Sequence, residues 1–282
     1  MIKIIPRDLI KHLERGHGQA TAPIVEPVNP NTNFPNLPDA SFIFRYDGEH
    51  KDFFQELISK ANAVYSGTNA KIQTGTSGEI PGNLIRRMGL ISTIANNSNL
   101  RSYNLWPITA TQSEYLLQAG KLTNLRDNCE DLALLLYDTN GNNPKEAQAL
   151  KEGIIQHRDD LGLSQSDLEK RLVVVNAGGK VDSNMPHGVK PIIIPGITQV
   201  YAHETLNKTG KDHNFEYGLN RGIPAISELG KGKRTLYMPS KDSNIGLRVL
   251  YRYWDLDLSA GDRDLASSGS DGRINFAHQK FL

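Results

Sequence analysis

The sequence has few of the features that would assign it to a chemical class at once. There is a single cysteine, Cys129, so no disulfide can form within the chain. The 32 Lys and Arg residues nearly balance the 31 Asp and Glu residues, which argues against binding nucleic acid through a broad basic surface. No apolar run is long enough to span a bilayer, and the start of the chain carries charges throughout, unlike a signal peptide. We therefore expect no nucleic-acid partner and no membrane insertion. The location is left open, with a virion or a cytoplasm favoured.

The periodicity of apolar residues predicts helices in the first half of the chain and short strands in the second. Residues 84–94 fit either a helix or a buried segment, and the Pro/Asn-rich residues 21–40 are typical of an extended arm. The remaining predicted helices are 2–15, 52–65, 115–120, 125–136, 144–157 and 164–171. The predicted strands are 41–46, 172–175, 190–194, 198–202, 234–238, 246–253 and 273–277. Helices followed by strands favour an α+β fold over a doubly wound α/β sheet.

Two of these helix predictions rest on specific residues. Thr111 and Glu114 have the spacing of a capping box, which places a helix start before Tyr115. Leu125, Cys129, Leu132 and Leu136 recur at helical spacing and predict one buried helix face, on which the thiol would be inert. We divide the chain into an N-terminal region, 1–102, which contains the arm, and a domain spanning 103–282.

The stretch from Tyr253 to Asp271 has an unusual composition. Leu256, Leu258, Ala260, Leu265 and Ala266 form a sparse apolar frame around polar positions. Each of those positions holds a residue reachable from an asparagine codon by changing only its two adenines. Such changes cannot yield Lys, Glu or Gln, and none of these occurs between Asp255 and Arg273. The polar positions are Tyr253, Asp255, Asp257, Ser259, Gly261, Asp262, Arg263, Asp264, Ser267, Gly269 and Asp271.

This pattern, together with Gly246-Leu247-Arg248 upstream, resembles the variable region of diversity-generating retroelement proteins. In that family a reverse transcriptase randomises the adenines of a template repeat and writes the copy into the target gene. The resemblance implies a C-type-lectin-like domain with small antiparallel sheets, two or more helices and long loops. It also implies a non-catalytic protein without cofactor or metal, whose eleven polar positions bind a variable macromolecular ligand, a protein or glycan on a target surface. Members of the family include viral receptor-binding proteins, some of them homotrimers, so the oligomeric state is left open.

The strand alternation in Asp255-Leu256-Asp257-Leu258 suits this role. Successive strand residues point to opposite faces, so the leucines can be buried while the positions between them face solvent. Tyr, Ser, Gly and Asn, which dominate antibody paratopes, all belong to the accessible residue set. The acidic set with Arg263 as its one cation leads us to expect a basic or hydroxyl-rich ligand for this variant.

Several other interpretations compete with this one. The stretch could be an ordinary polar loop, and its alternating Asp residues could hold calcium, although no Glu follows at the spacing of an EF-hand. Residues 173–180 look like a strand running into a phosphate loop, but the first Gly and the Ser/Thr of that motif are missing. The alternative function is an enzyme, metal-dependent or of C-type-lectin fold, that uses the region of His187, His203 and His213.

Overall fold

The fold is described from a computed structural model. It describes residues 48–74, 80–118, 129–241, 244–261, 263–267 and 272–278. The predicted helix at 2–15, the Pro/Asn-rich arm and the predicted strand at 41–46 lie outside these residues.

Five α-helices are described, and most begin and end close to the predicted positions. Residues 84–94, for which the sequence allowed a helix or a buried segment, form a helix. In the segment 164–171, predicted as a helix, residues Gln165–Glu169 form a 3₁₀ helix. The α-helices are α1 (Lys51–Tyr65), α2 (Leu84–Ala95), α3 (Ser98–Ser102), α4 (Ala110–Gln118) and α5 (Pro144–Gln156). Two further 3₁₀ helices span Glu204–Asn207 and Ile226–Glu228.

The strands form one large sheet and two small ones. The strands are β1 (Leu105–Pro107), β2 (Glu130–Leu136), β3 (Leu172–Val175), β4 (Gly178–Val181), β5 (Val189–Ile192), β6 (Gln199–Ala202), β7 (His213–Phe215), β8 (Arg234–Tyr237), β9 (Leu247–Arg252), β10 (Leu258–Ser259) and β11 (Phe276–His278). The large sheet has the order β6-β3-β2-β9-β10-β8-β7, and only its β10–β8 pair is parallel among the described pairs. β1 pairs with β11, and β4 pairs with β5.

The large sheet is covered on both faces, which explains the one helix prediction that was wrong. Residues 125–136 were predicted as a helix, but Glu130–Leu136 is the strand β2, and all seven of its residues are buried. Its alternate residues enter two separate apolar clusters: Leu134 packs with α1, α2 and α5, and Leu135 packs with α4 and the long loops. A strand that is buried on both faces has apolar residues at nearly every position. Some of these residues are therefore three or four positions apart, which is also the spacing of a helix face.

The architecture is a mixture of several sheets and a few helices, which agrees with the predicted α+β class. The large sheet, with seven strands, is bigger than the small sheets that the resemblance implied. Helices α1 and α2, which fall in the predicted N-terminal region, share one apolar cluster with strands β2, β9 and β11. The described residues before 103 therefore contribute to the core of the predicted domain and do not stand apart from it.

Helix α4 begins earlier than predicted because the capping box lies two residues upstream of the predicted one. The backbone N–H of Gln112 donates to Thr109 Oγ1 at 3.2 Å, and the backbone N–H of Thr109 donates to Gln112 Oε1 at 2.8 Å. This reciprocal pair satisfies two N–H groups at the start of the helix. Glu114, the predicted partner of Thr111, instead accepts from Arg234 and from the backbone of Gly218.

The stretch that resembles a phosphate loop is the β3–β4 turn and the start of β4. Gly178 and Gly179 lie against α2: a Cβ on Gly178 would come within 2.6 Å of Ser92 Oγ. The N–H of Gly179 donates to Ser92 Oγ at 2.9 Å, and its carbonyl accepts from the Tyr65 hydroxyl at 2.6 Å. Both backbone groups of Gly179 are thus used within the fold, and the glycines allow a helix to approach the hairpin closely.

Candidate functional site

The described part of the predicted variable stretch begins in a tight turn between β9 and β10. The N–H of Leu256 donates to the carbonyl of Tyr253 at 3.0 Å, and Leu256 has a φ of 78°. The predicted alternating strand over 255–258 is therefore a turn followed by the first residue of β10. Leu256 and Leu258 are buried all the same, as are Ala260 and Leu265. The apolar frame of the stretch is thus part of the core.

The predicted ligand-binding positions differ in exposure. Asp264 and Ser267 are exposed, whereas Ser259 and Gly261 are buried. A Cβ on Gly261 would come within 2.4 Å of the backbone nitrogen of Pro239, so this position has no room for a side chain without a shift. The partly buried positions are Tyr253, Asp255, Asp257 and Arg263, and those outside the described residues are Asp262, Gly269 and Asp271.

Three tyrosines and an arginine pack together next to this turn, with Tyr251 buried and the other three partly exposed. Tyr253 makes edge-on ring contacts with Tyr251 and Tyr237, with ring centroids 4.8 and 5.6 Å apart. The guanidinium carbon of Arg263 lies 4.6 Å from the centroid of the Tyr251 ring and 5.5 Å from that of Tyr253. Such stacking restricts all these side chains. Trp254 lies next to this group along the chain and is 38% exposed.

Asp257 holds the turn against β8. Its carboxylate accepts from the backbone N–H of Thr235 at 2.6 Å and from the Tyr237 hydroxyl at 3.2 Å. Burial raises the pKa of this carboxyl, and the Thr235 hydrogen bond acts in the opposite direction. Burial, followed by the nearby Asp257 charge, also raises the pKa of Tyr237. The carboxylate of Asp257 therefore accepts its hydrogen bonds from within the fold. The exposed carboxylate of Asp264 pairs with Arg248 and with no other described cation.

One buried carboxylate holds both ends of the stretch. Arg252, the last residue of β9, places Nη2 3.2 Å from Glu130 Oε2. Asn275, which follows the stretch, donates to Glu130 from its side chain at 2.7 Å and from its backbone at 3.0 Å. Arg87 of α2 lies 3.6 Å from the other oxygen of Glu130. Burial raises the pKa of Glu130 and lowers that of Arg87 to about 10, while their mutual attraction opposes both shifts.

Sequence reasoning did not select Glu130, Trp254 or Tyr237. Glu130 is 122 residues from Arg252 and 145 from Asn275 along the chain, so no local pattern links them. Trp254 could have been found, because it interrupts the polar positions and its only codon contains no adenine. If the stretch is diversified as predicted, a large aromatic residue that stays fixed within it could serve as a constant ligand contact.

The histidines of the alternative enzyme hypothesis have separate neighbours. His187 Nδ1 contacts the side-chain nitrogen of Asn69, His203 Nε2 contacts the carbonyl of Asn220, and His213 Nε2 contacts the carbonyl of Lys208. Across the residues that the structure describes, no group of three or more His, Cys, Asp or Glu residues is placed to hold a metal ion. Cys129 is buried and its backbone carbonyl accepts from the N–H of Arg273 at 2.8 Å.

No family model, curated protein or solved structure matches this chain. The fold and the site are therefore interpreted from their own geometry. Within the described ranges, none of the helices combines the length and the apolar character that crossing a bilayer requires.

The difference between Asp257 and Asp264 gives a direct test of which positions tolerate change. We expect Asp257→Ala to lower the free energy of unfolding by about 1–3 kcal/mol, because it leaves the Thr235 N–H and the Tyr237 hydroxyl without their acceptor. Asp264→Ala removes one exposed ion pair and should cost less than about 1 kcal/mol. Urea unfolding curves of both variants would measure this; equal costs would contradict the assignment of Asp257 to the fold.

Proposed function

We propose that this protein is a non-catalytic ligand-binding protein whose C-terminal surface is diversified by a retroelement through adenine-directed mutagenesis. The observation that carries the proposal is the residue content of 253–271, where every polar position is reachable from an asparagine codon and Lys, Glu and Gln are missing after Trp254. We further propose that the domain is a variant of the C-type lectin fold, as the resemblance implies.

The structure supports this proposal because the apolar residues of the stretch are buried while several of its polar residues reach the surface. The leucines and Ala260 of the stretch are buried, while Asp264 and Ser267 are exposed and Tyr253, Asp255 and Arg263 are partly exposed. Substitutions at exposed positions away from special contacts usually change stability by less than about 0.5 kcal/mol. A binding surface of this kind can vary in sequence while the domain stays folded.

The surface chemistry favours a protein or glycan ligand. Trp254 offers an exposed indole beside the tyrosine and arginine group, and Trp, Tyr and Arg are the residues that most often dominate binding energy. Asp255 and Asp264 add negative charge near this aromatic group, which suits the basic or hydroxyl-rich ligand expected from the sequence. We therefore place the ligand contact on Tyr253, Trp254, Asp255 and the residues around Arg263.

Deep sequencing of codons 240–282 in the source population tests the proposal. We expect variation confined to codons of the eleven polar positions, together with a nearby near-copy of this stretch that carries adenines at the varied bases. Codons 247–252 serve as the internal control, because they encode β9 and should not vary. An invariant stretch with no template repeat would refute diversification and leave an ordinary surface loop.

Ser259 and Gly261 allow a more specific prediction for the same sequencing experiment, because both residues are buried within the fold. If diversification reaches them, we expect variants there to be restricted to small residues, in contrast to the full range at Asp264 and Ser267. Free variation at Gly261 would show that the contact with Pro239 rearranges easily.

A further inference from the structure

A large cleft runs along the edge strand β6, away from the predicted variable stretch. Its volume is about 820 Å³, within the range of specific ligand sites. All four residues of β6 and the following His203 line it, and none of the described residues of 253–271 does. β6 is the end strand of the large sheet, separated from β9 by β3 and β2. The cleft therefore follows a sheet edge over the length of a strand.

The edge presents backbone hydrogen-bonding groups to this cleft. The N–H of His203 donates to the carbonyl of Arg171 at 3.4 Å, and Tyr201 lies opposite Val173 in the register. Residues of an antiparallel pair alternate between bonded and non-bonded positions, so the N–H and C=O groups of Val200 and Ala202 point away from β3. No described residue is recorded as their hydrogen-bond partner.

Among the residues that the structure describes, strand β6 has none of the features that usually block such an edge. Its sequence is Gln-Val-Tyr-Ala, which contains neither a proline nor a charged residue. Protein edges are normally protected by charges, prolines, bulges or a covering element, because an open edge pairs readily with another chain. An open, uncharged edge beside a cleft is the arrangement used to bind an extended peptide as an added strand.

The side chains at the cleft indicate the chemistry of that peptide. The guanidinium carbon of Arg221 lies 4.3 Å from the centroid of the Tyr201 ring, and Arg221 has no ion-pair partner recorded in the part of the chain that the structure describes. Three carboxylates of the lining already have a basic neighbour: Asp167 pairs with Lys170, Asp159 with Arg158, and Asp160 lies beside His157. Glu204 also lines the cleft, at the end where β6 is followed by His203. His203 is 3% exposed and its Nδ1 has no hydrogen-bond partner among the described residues. The cleft thus offers an unpaired cation on the Tyr201 face and a buried polar ring at the end of the strand.

We propose that this cleft binds an extended segment of a partner polypeptide, which adds to β6 as an eighth strand and places an acidic side chain beside Arg221. Main-chain hydrogen bonds to Val200 and Ala202 hold the segment. On the face that carries Tyr201, a side chain of the added strand becomes a cross-strand neighbour of Tyr201, and a carboxylate there reaches the stacked guanidinium. This binding is independent of the proposed diversification.

The test uses random seven-residue peptides displayed on phage, selected on the full chain and then synthesised with a fluorescent label. We expect the selected peptides to share an acidic residue at a fixed position, and N-methylation of alternate amides to abolish binding. Ala202→Pro removes one N–H that faces the cleft and should weaken binding about tenfold. Ala202→Gly keeps this N–H and is the matched control, with the melting temperature of both variants showing that they fold.

Arg221 gives the second arm of the test. We expect Arg221→Ala to weaken an acidic peptide about fivefold to tenfold and to leave its Glu→Gln or Asp→Asn analogue unchanged. Failure to select any peptide, or equal binding to the Ala202→Pro and Ala202→Gly variants, would overturn the proposal. So would a dimer of the free protein that Ala202→Pro converts to a monomer, because the edge would then be an interface between two copies of this chain.

Discussion

Glu130→Gln should lower the free energy of unfolding by about 3–5 kcal/mol, one of the two largest effects that we expect in this chain. The substitution removes the charge that faces two fully buried arginines, Arg87 and Arg252. It leaves Arg87 with only the weaker attraction of Asp131, and Arg252 with only that of Glu114. It also places an amide N–H₂ group where the Asn275 side chain and Arg252 both donate. Urea unfolding, followed by tryptophan fluorescence and by circular dichroism, would measure the loss.

Glu152→Gln is the matched control, because Glu152 is exposed on α5 and contacts only the side chain of Gln148 among the described residues. This variant should unfold within about 0.5 kcal/mol of the wild type. A triple change of Arg87, Glu130 and Arg252 to apolar residues of similar size should recover much of the loss, since it removes the unpaired charges themselves. A cost under about 1 kcal/mol for Glu130→Gln would show that water reaches the cluster.

Protonation of His203 should make the protein less stable in acid. Burial lowers the pKa of His203 from 6.5 to about 4, opposed by its bond to the Asn220 carbonyl and reinforced by the charge of Arg221. Between these two values the unfolded chain binds a proton at this ring and the folded chain does not, so stability rises with pH across the window. The contribution is complete above pH 6.5, is lost as the pH falls toward 4, and amounts to about 3 kcal/mol.

The measurement is the difference in unfolding free energy between the wild type and His203→Gln at a series of pH values from 4 to 7. Taking the difference cancels the titration of the other groups, so we expect it to shift by about 3 kcal/mol in favour of the wild type as the pH rises. A flat difference for His203→Gln would mean that the buried ring accepts a proton without cost.

The sequence predicts those parts of the fold that depend on local contacts. Helices α1 and α5 follow from one-sided apolar spacing, and Ser164 with Asp167 forms the capping box that their spacing indicates. Strand β2 was wrongly predicted as a helix. It is a strand because it is covered on both faces by layers whose residues are distant in sequence. Strand β4 was not predicted, because it begins with two glycines, which are rare in strands. These glycines allow α2 to approach the strand closely.

In the candidate site, too, the sequence predicts the features that depend on local pattern and not those that depend on distant contacts. The burial of Leu256 and Leu258 could be predicted from the apolar frame, although the turn at Leu256 could not. Asp257 accepts a hydrogen bond from Thr235, whereas Asp264 is exposed. This difference depends on the pairing of β10 with β8, and no local pattern in the sequence predicts that contact. Composition can therefore indicate where variation is expected, whereas the fold shows which of those positions have side chains that are free of structural contacts.

The anchoring of both ends by Glu130 has a consequence for the gene, if the proposed diversification operates. Any adenine copied from the template is open to change, so a residue that the fold requires is safe only in an adenine-free codon or outside the copied tract. Arginine, alanine, leucine and tryptophan all have adenine-free codons, and Arg252 can be protected in this way. Asparagine has none, and Asn275 is fully buried against Glu130. Copying past codon 274 would therefore open Asn275 to change, and this fully buried contact with Glu130 tolerates change less well than the partly buried contacts of Asp257. We accordingly expect mutagenic copying to stop between codons 271 and 275.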